Sequence, residues 1–94
     1  MARIHDNARL VGEMEFENGY RNQLWISYNH NTSQPIVWQR VFSPKENKWT
    51  QFKRATGRNI KAICKELNML FDTNRAKWIT VNHVALMALG DAGR

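Results

Sequence analysis

The chain has almost none of the residues from which small proteins build covalent or metal cross-links. Its 94 residues include one cysteine, Cys64, so no disulfide can form within the chain. The three histidines, His5, His30 and His83, do not stand at metal-ligand spacing from one another or from that cysteine. Glu13, Glu15 and Glu17 alternate along a predicted strand and could bind a metal, but a solvated acidic edge is favoured, so the sequence predicts no metal site. A lone thiol also suits a reducing compartment.

Signatures of membrane insertion and of common catalysis are missing as well. No apolar run is long enough to span a bilayer, and the first ten residues lack the apolar core of a signal peptide. This favours a cytoplasmic protein with no membrane partner. Neither a glycine-rich phosphate loop nor a serine elbow occurs. We expect a non-enzymatic protein with no catalytic residue, no cofactor and no small-molecule substrate, although a small nuclease with a dispersed site stays open.

Acidic residues are nearly absent from the middle of the chain. The net charge is +6, and residues 40–65 alone contribute +7, because eight basic side chains there meet only Glu46. Residues 1–39 carry a net −1, and residues 66–94 sum to zero. Concentrated positive charge attracts polyanions and displaces their counterions. The clustering favours this interpretation over a surface that only adds solubility.

Four segments in the first half have the pattern of antiparallel strands. Alternating apolar and polar residues predict strands over residues 9–17, 23–29, 36–42 and 49–54. Turn-forming residues separate these segments, and Asn18-Gly19 is a hairpin signal. The sequence thus predicts a four-stranded meander over residues 9–54.

The hydrophobic period changes after Thr56. Apolar residues then recur at helical spacing, which predicts an amphipathic helix over residues 57–72 with Thr56 as its cap. Cys64 falls on the apolar stripe, where a core residue is expected rather than a nucleophile.

The C-terminal extension, residues 73–94, is ambiguous. Lys77–Val81 could form a strand, or Thr80 could cap a helix over residues 81–89 that Gly90 ends. Of the two we expect the helix. The predicted fold is α+β in a single domain, residues 1–94: a four-stranded antiparallel meander packed on one amphipathic helix, with a short C-terminal helix or strand.

Strand pairing sorts the side chains onto two faces of the predicted sheet. Loops at 43–48 and 29–34 pair Phe42 with Trp49 and Trp25 with Trp38. The 43–48 loop also pairs Arg40 with Gln51 and Trp38 with Lys53. The 29–34 loop also pairs Tyr28 with Pro35 and Ile26 with Val37. One face, the core face, is predicted to carry Leu10, Met14, Phe16, Leu24, Ile26, Tyr28, Val37, Val41 and Phe52. The other, the aromatic face, is predicted to carry Trp25, Trp38, Arg40, Phe42, Trp49 and Lys53, with Glu13 and Glu15 at its edge.

The first hairpin needs a loop longer than two residues. A tight Asn-Gly turn would place Glu13 opposite Leu24 and mix acid with the core face. A loop over residues 17–21 instead pairs Met14 with Leu24 and Leu10 with Tyr28. We therefore expect a bulge or a longer loop at this turn.

An aromatic and basic sheet face is typical of single-stranded nucleic-acid binding, because bases stack on rings and cations hold phosphates. Single-stranded DNA or RNA is favoured over duplex, which could bind the helix through Lys61 and Lys65. The predicted binding residues are Trp25, Trp38, Arg40, Lys45, Lys48, Trp49, Lys53, Arg54 and Arg58. Three alternatives stay open. The face could be a buried layer under the C-terminal extension or a homodimer interface. The protein could also be a phage- or plasmid-type module that docks on a host protein through the same aromatic face or through the C-terminal segment.

The segment "RVFSPKENK" (40–48), leading to "IKAICKELNML" (60–70), resembles the positive-coactivator family of single-stranded DNA-binding proteins, especially its small bacterial and phage members. The likeness covers residues 9–72. It implies a dimer that binds single strands on its sheet, and it implicates Trp38, Arg40, Lys45, Lys48, Trp49 and Lys53. Residues 73–94 have no counterpart in the minimal family fold, and the hairpin loops lack a family signature.

Overall fold

The computed structural model describes residues 3–94, and its centre is an antiparallel sheet. The elements in chain order are β1 (Arg9–Phe16), β2 (Arg21–Tyr28), β3 (Pro35–Ser43), β4 (Lys48–Trp49), β5 (Lys53–Ala55), α1 (Arg58–Asp72), β6 (Ala76–Val81) and α2 (His83–Ala92). Strands β1 to β3 form a meander, β4 and β5 both pair with β3 at one edge, and β6 pairs with β1 at the other. The α+β class is confirmed. Four strands and one main helix were too few, since residues 3–94 form six strands and two helices.

The register between β2 and β3 is the predicted one. Tyr28 lies opposite Pro35, and Trp25 opposite Trp38. The first hairpin has a three-residue loop, because the Phe16 amide donates to the Tyr20 carbonyl at 2.9 Å. Gly19 supplies the positive φ of 85° that this loop needs. A loop longer than two residues is thus confirmed, but it spans residues 17–19 and not the predicted 17–21.

Two irregularities in the sheet contradict the predicted faces. A bulge between Leu10 and Gly12 brings Leu10 opposite Trp25, on the aromatic face rather than the core face. The same register places Met14 opposite Asn22, not Leu24.

The second irregularity divides the predicted fourth strand. The Thr50 hydroxyl accepts a hydrogen bond from the Val41 amide at 2.9 Å. A side-chain oxygen thereby stands where a backbone carbonyl would otherwise accept in the hydrogen-bond ladder between two strands. Pairing resumes with Lys53 opposite Gln39 and Arg54 opposite Trp38. The predicted pairing of Lys53 with Trp38 was wrong, because Lys53 lies opposite Gln39, in register with the core face. Arg54 is the residue opposite Trp38, on the aromatic face.

Both helices begin differently from the prediction. No side chain caps α1, which starts after Gly57 at φ 56°, so Thr56 is not its cap. In the C-terminal extension the strand and the helix both form, as β6 and α2. The Asn82 side chain, not Thr80, caps α2 by accepting from the Ala85 amide at 3.2 Å. The helix continues past Gly90.

The hydrophobic core lies between the core face and the two helices. Its buried members are Val11, Met14, Leu24, Ile26, Val37, Ile60, Leu67, Ala76, Ala85 and Leu89. The residues of α2 therefore pack on the core face, which leaves the aromatic face free of helices. Within the described chain, neither helix has the length and apolar character required to cross a bilayer.

Candidate nucleic-acid interface

Four rings and two arginines interleave on the aromatic face. We call this group the arginine–aromatic cluster; it consists of Arg21, Arg40, Trp25, Phe42, Trp49 and Phe52. All six side chains are half-buried. Strands β2, β3 and β4 supply five of them, and the break between β4 and β5 supplies Phe52.

Each guanidinium lies against two rings. The Arg21 guanidinium carbon is 4.4 Å from the Phe42 ring centroid and 5.5 Å from that of Trp49. The Arg40 carbon is 4.8 Å from the Trp49 centroid and 4.7 Å from that of Phe52. These are cation–π distances, and the weakly hydrated, planar guanidinium suits such contacts. The cations and rings therefore alternate across the sheet.

The rings also contact one another at the two ends of the cluster. Phe42 and Trp49 lie with their centroids 5.5 Å apart and tilted by 59°. Trp25 meets the edge of Phe52 at 6.2 Å. Such pairs add modest stability beyond their buried area. The rings thus pack against one another in two pairs, and each of the four residues stays partly exposed.

Two polar side chains fix the arginines from the β1 and β2 side. Glu13 forms an ion pair with Arg21 at 3.2 Å and accepts from the Gln23 amide nitrogen at 2.7 Å. The Gln23 oxygen accepts from Arg40 Nε at 2.8 Å and from the Trp25 indole at 3.3 Å. Within residues 3–94, the two terminal nitrogens of Arg40 have no hydrogen-bond or ion-pair partner. Arg40 is thus oriented through Nε while its outer donors stay available to an anion.

The predicted lysines and arginines flank the cluster. Lys45 and Lys48 are exposed on the β3–β4 hairpin. Arg54 is exposed at the β5 edge, opposite Trp38. Arg58 is the exposed first residue of α1, whose first turn holds no acidic side chain. The basic groups therefore gather on the β3 to β5 side of the sheet, away from Glu13.

Trp38 does not present its ring to solvent, although the sequence placed it in the binding site. The residue is 1% exposed. Its indole donates to the Ser27 hydroxyl at 2.9 Å, and the His5 ring covers it at a centroid distance of 5.2 Å. The N-terminal residues thus cover one end of the aromatic face, not the C-terminal extension considered from the sequence.

Sequence reasoning missed several members of the site. Arg21, Gln23, Phe42 and Phe52 were not among the predicted binding residues, although Phe42 was predicted on the aromatic face. Arg21 could have been found, because the predicted register between the second and third strands, when continued, pairs Arg21 with Phe42. It was missed because the second strand was predicted to start at residue 23, two residues after β2 begins. The prediction places Phe52 on the wrong face because it counts alternation through the break at Thr50.

No group of three His, Cys, Asp or Glu side chains in residues 3–94 is arranged to hold a metal ion. Neither a family model, nor a curated protein, nor a solved structure matches this chain. The resemblance to the positive-coactivator family stays a prediction from the sequence.

Proposed function

We propose that this protein is a non-enzymatic binder of single-stranded nucleic acid, held on the aromatic face. The observation that carries the proposal is the placement of Arg40. Its guanidinium lies against Trp49 and Phe52, and its outer nitrogens have no partner in the described chain. Rings for bases and a fixed cation for phosphate are thereby brought together on a sheet face that no helix covers.

The division of charge gives the nucleic acid a path. Glu13 and Glu15 lie on β1, and the exposed Lys45, Lys48 and Arg54 lie between the β3–β4 hairpin and β5. Phosphates would be repelled from the first side and attracted to the second. The strand therefore follows β3, with Lys45 and Lys48 at one end of the path and Arg54 and Arg58 at the other.

Stacking favours an unpaired strand over a duplex. Base–aromatic stacking contributes roughly 1–3 kcal/mol per base by alanine substitution and tolerates every base. Bases within a duplex do not expose their faces to such rings. The cations contact phosphate without reading sequence, so the complex is expected to be sensitive to salt and tolerant of sequence.

A second candidate is a protein-interaction module, and one observation favours it. Val84 and Met87 on α2 are 69% and 71% exposed, on the opposite side of the sheet from the cluster. Large exposed apolar side chains occur at protein interfaces. Such a partner would meet α2 and leave the aromatic face unchanged, so the two candidates use different surfaces.

Intrinsic tryptophan fluorescence during titration with a short oligothymidine tests the proposal. At low salt we expect saturable quenching, because Trp25 and Trp49 are half-buried members of the cluster. Moderate salt should weaken the apparent affinity. Folded protein that shows no quenching at low salt, and no binding by fluorescence anisotropy of a labelled oligothymidine, would overturn the single-strand proposal.

A further inference from the structure

Residues 3–8 cross one end of the aromatic face; we call them the N-terminal strap. His5 of the strap contacts the sheet. Its Nδ1 lies 3.1 Å from the Ser27 hydroxyl, and its ring meets Trp38 edge-on at 5.2 Å and stacks beside His30 at 6.3 Å. Ser27 and Trp38 are 2% and 1% exposed under this cover.

Trp38 occupies a position that continues the binding face. It lies opposite Trp25 on β2 and opposite Arg54 on β5. Trp25 belongs to the arginine–aromatic cluster, and Arg54 is exposed at the basic edge. If the strap lifted, Trp38 would be the next ring in the same row, with a cation beside it.

Within residues 3–94, the one side-chain hydrogen bond between the strap and the sheet is that of His5 with Ser27, and the His5 ring adds an edge-on contact with Trp38. In the described chain the strap makes no backbone hydrogen bond to the sheet; its Ala8 amide donates to the His5 carbonyl within the strap itself. None of its residues joins the hydrophobic core or the apolar side chains packed against it. Asp6 and Asn7 are exposed. A segment held in this way opens at much lower free energy than the core strands.

The hydrogen bonds under the strap survive its removal. The Trp38 indole donates to Ser27, and both residues belong to the sheet. The Ser27 hydroxyl loses only His5, and water can replace an imidazole as its partner. Opening therefore leaves no buried polar group without a partner, which is the main penalty for disrupting a polar contact.

We propose that the strap is a displaceable cover: single-stranded nucleic acid bound on the aromatic face displaces His5 and stacks a base on Trp38. This regulation rests on the function proposed above. The closed strap lowers the apparent affinity by the fraction of molecules in which it is open. Weakening the strap should therefore tighten binding, although it removes a native contact.

Fluorine NMR of the full chain labelled with 5-fluorotryptophan observes each indole separately, with assignment by single Trp→Phe variants. Oligothymidine is added to saturation. We expect the Trp25, Trp49 and Trp38 resonances all to shift, and Trp78 to serve as an internal reference, because it stacks on Phe71 on the core side. If Trp25 and Trp49 shift and Trp38 does not, the strap stays closed and this inference is wrong while the proposed function stands. If none shifts, the proposed function fails.

A single substitution provides a second test of the strap. His5→Ala removes both the ring contact and the hydrogen-bond partner of Ser27, and we expect about tenfold tighter binding of oligothymidine by anisotropy. His83→Ala is the matched control, since His83 is exposed at the start of α2, and its affinity should equal that of the wild type. Unchanged or weaker binding by a folded His5→Ala protein would contradict the proposal that the strap covers part of the binding face. The fluorine NMR titration of the wild-type chain tests the same proposal without any change to His5.

Discussion

The guanidinium carbon of Arg40 lies 4.8 Å from the ring centroid of Trp49, on the strand paired beside it. Phe52 lies at 4.7 Å, and Gln23 accepts from Nε. The guanidinium thus contacts two rings and one hydrogen-bond acceptor at the same time. Shape as well as charge is therefore required at this position.

Arg40→Lys keeps the charge and should still impair the protein. An ammonium cannot present a planar cation to two rings and a fixed donor to Gln23 together. We expect a loss of about 1 kcal/mol in the free energy of unfolding, measured by urea denaturation. Oligothymidine affinity should fall about tenfold with an unchanged salt slope, because the number of charges is the same. Arg75→Lys, at an exposed position, is the control, and an equal effect of the two variants would contradict this role.

The hairpin lysines should affect binding without affecting stability. Lys45→Gln and Lys48→Gln remove exposed charges, so the free energy of unfolding should stay within about 0.5 kcal/mol. The slope of log K against log salt should become less negative by about 0.7 for each phosphate of the single strand that a lysine no longer neutralises. Anisotropy titrations at several salt concentrations measure it.

The matched controls for these lysines are Lys61→Gln and Lys65→Gln, which remove equally exposed charges from α1. Their salt slope should equal that of the wild type. A reduced slope in the helix variants alone would place the nucleic acid on α1 instead of the sheet.

The sequence predicts the parts of the site that depend on regular strand geometry. Loop length and alternation were enough to pair Phe42 with Trp49 and Trp25 with Trp38, and so to bring the aromatic rings to one face. Alternation fails where a strand is interrupted. The Thr50 hydroxyl replaces a backbone partner and moves Phe52 and Lys53 away from their predicted faces.

No periodic pattern in the sequence predicts that the N-terminal strap covers Trp38. His5 and Ser27 are 22 residues apart, and their contact depends on how a short polar segment folds back on the completed sheet. Counting alternate residues assigns Trp38 to a face correctly but does not show what lies above that face. The exposure of a ring is a tertiary property, and only the structure reveals it.

Position 12 has no room for a side chain, because residues of the neighbouring strand β6 lie against Gly12. A Cβ built on it would lie 2.5 Å from the Trp78 ring and 2.7 Å from the Thr80 carbonyl oxygen, which is backbone and cannot rotate away. We expect Gly12→Ala to cost about 1–3 kcal/mol by separating β1 from β6. Gly90→Ala is the opposite control, because that Cβ meets nothing within 4 Å in the last turn of α2, and it should stabilise by about 0.4–1 kcal/mol. Thermal unfolding of both variants measures the difference, and a neutral Gly12→Ala would show that β6 can shift.

The bond from the Trp38 indole to the Ser27 hydroxyl should be visible as coupling in a double-mutant cycle. Ser27→Ala leaves a buried N–H without its acceptor, and we expect it to cost about 1–3 kcal/mol. Trp38→Phe removes the donor, so the further cost of Ser27→Ala in that background should fall by about 1 kcal/mol. Urea denaturation of the four proteins gives the coupling. Additive costs would mean that Ser27 contributes through its packing and its contact with His5 alone, and that the indole finds another partner when the hydroxyl is removed.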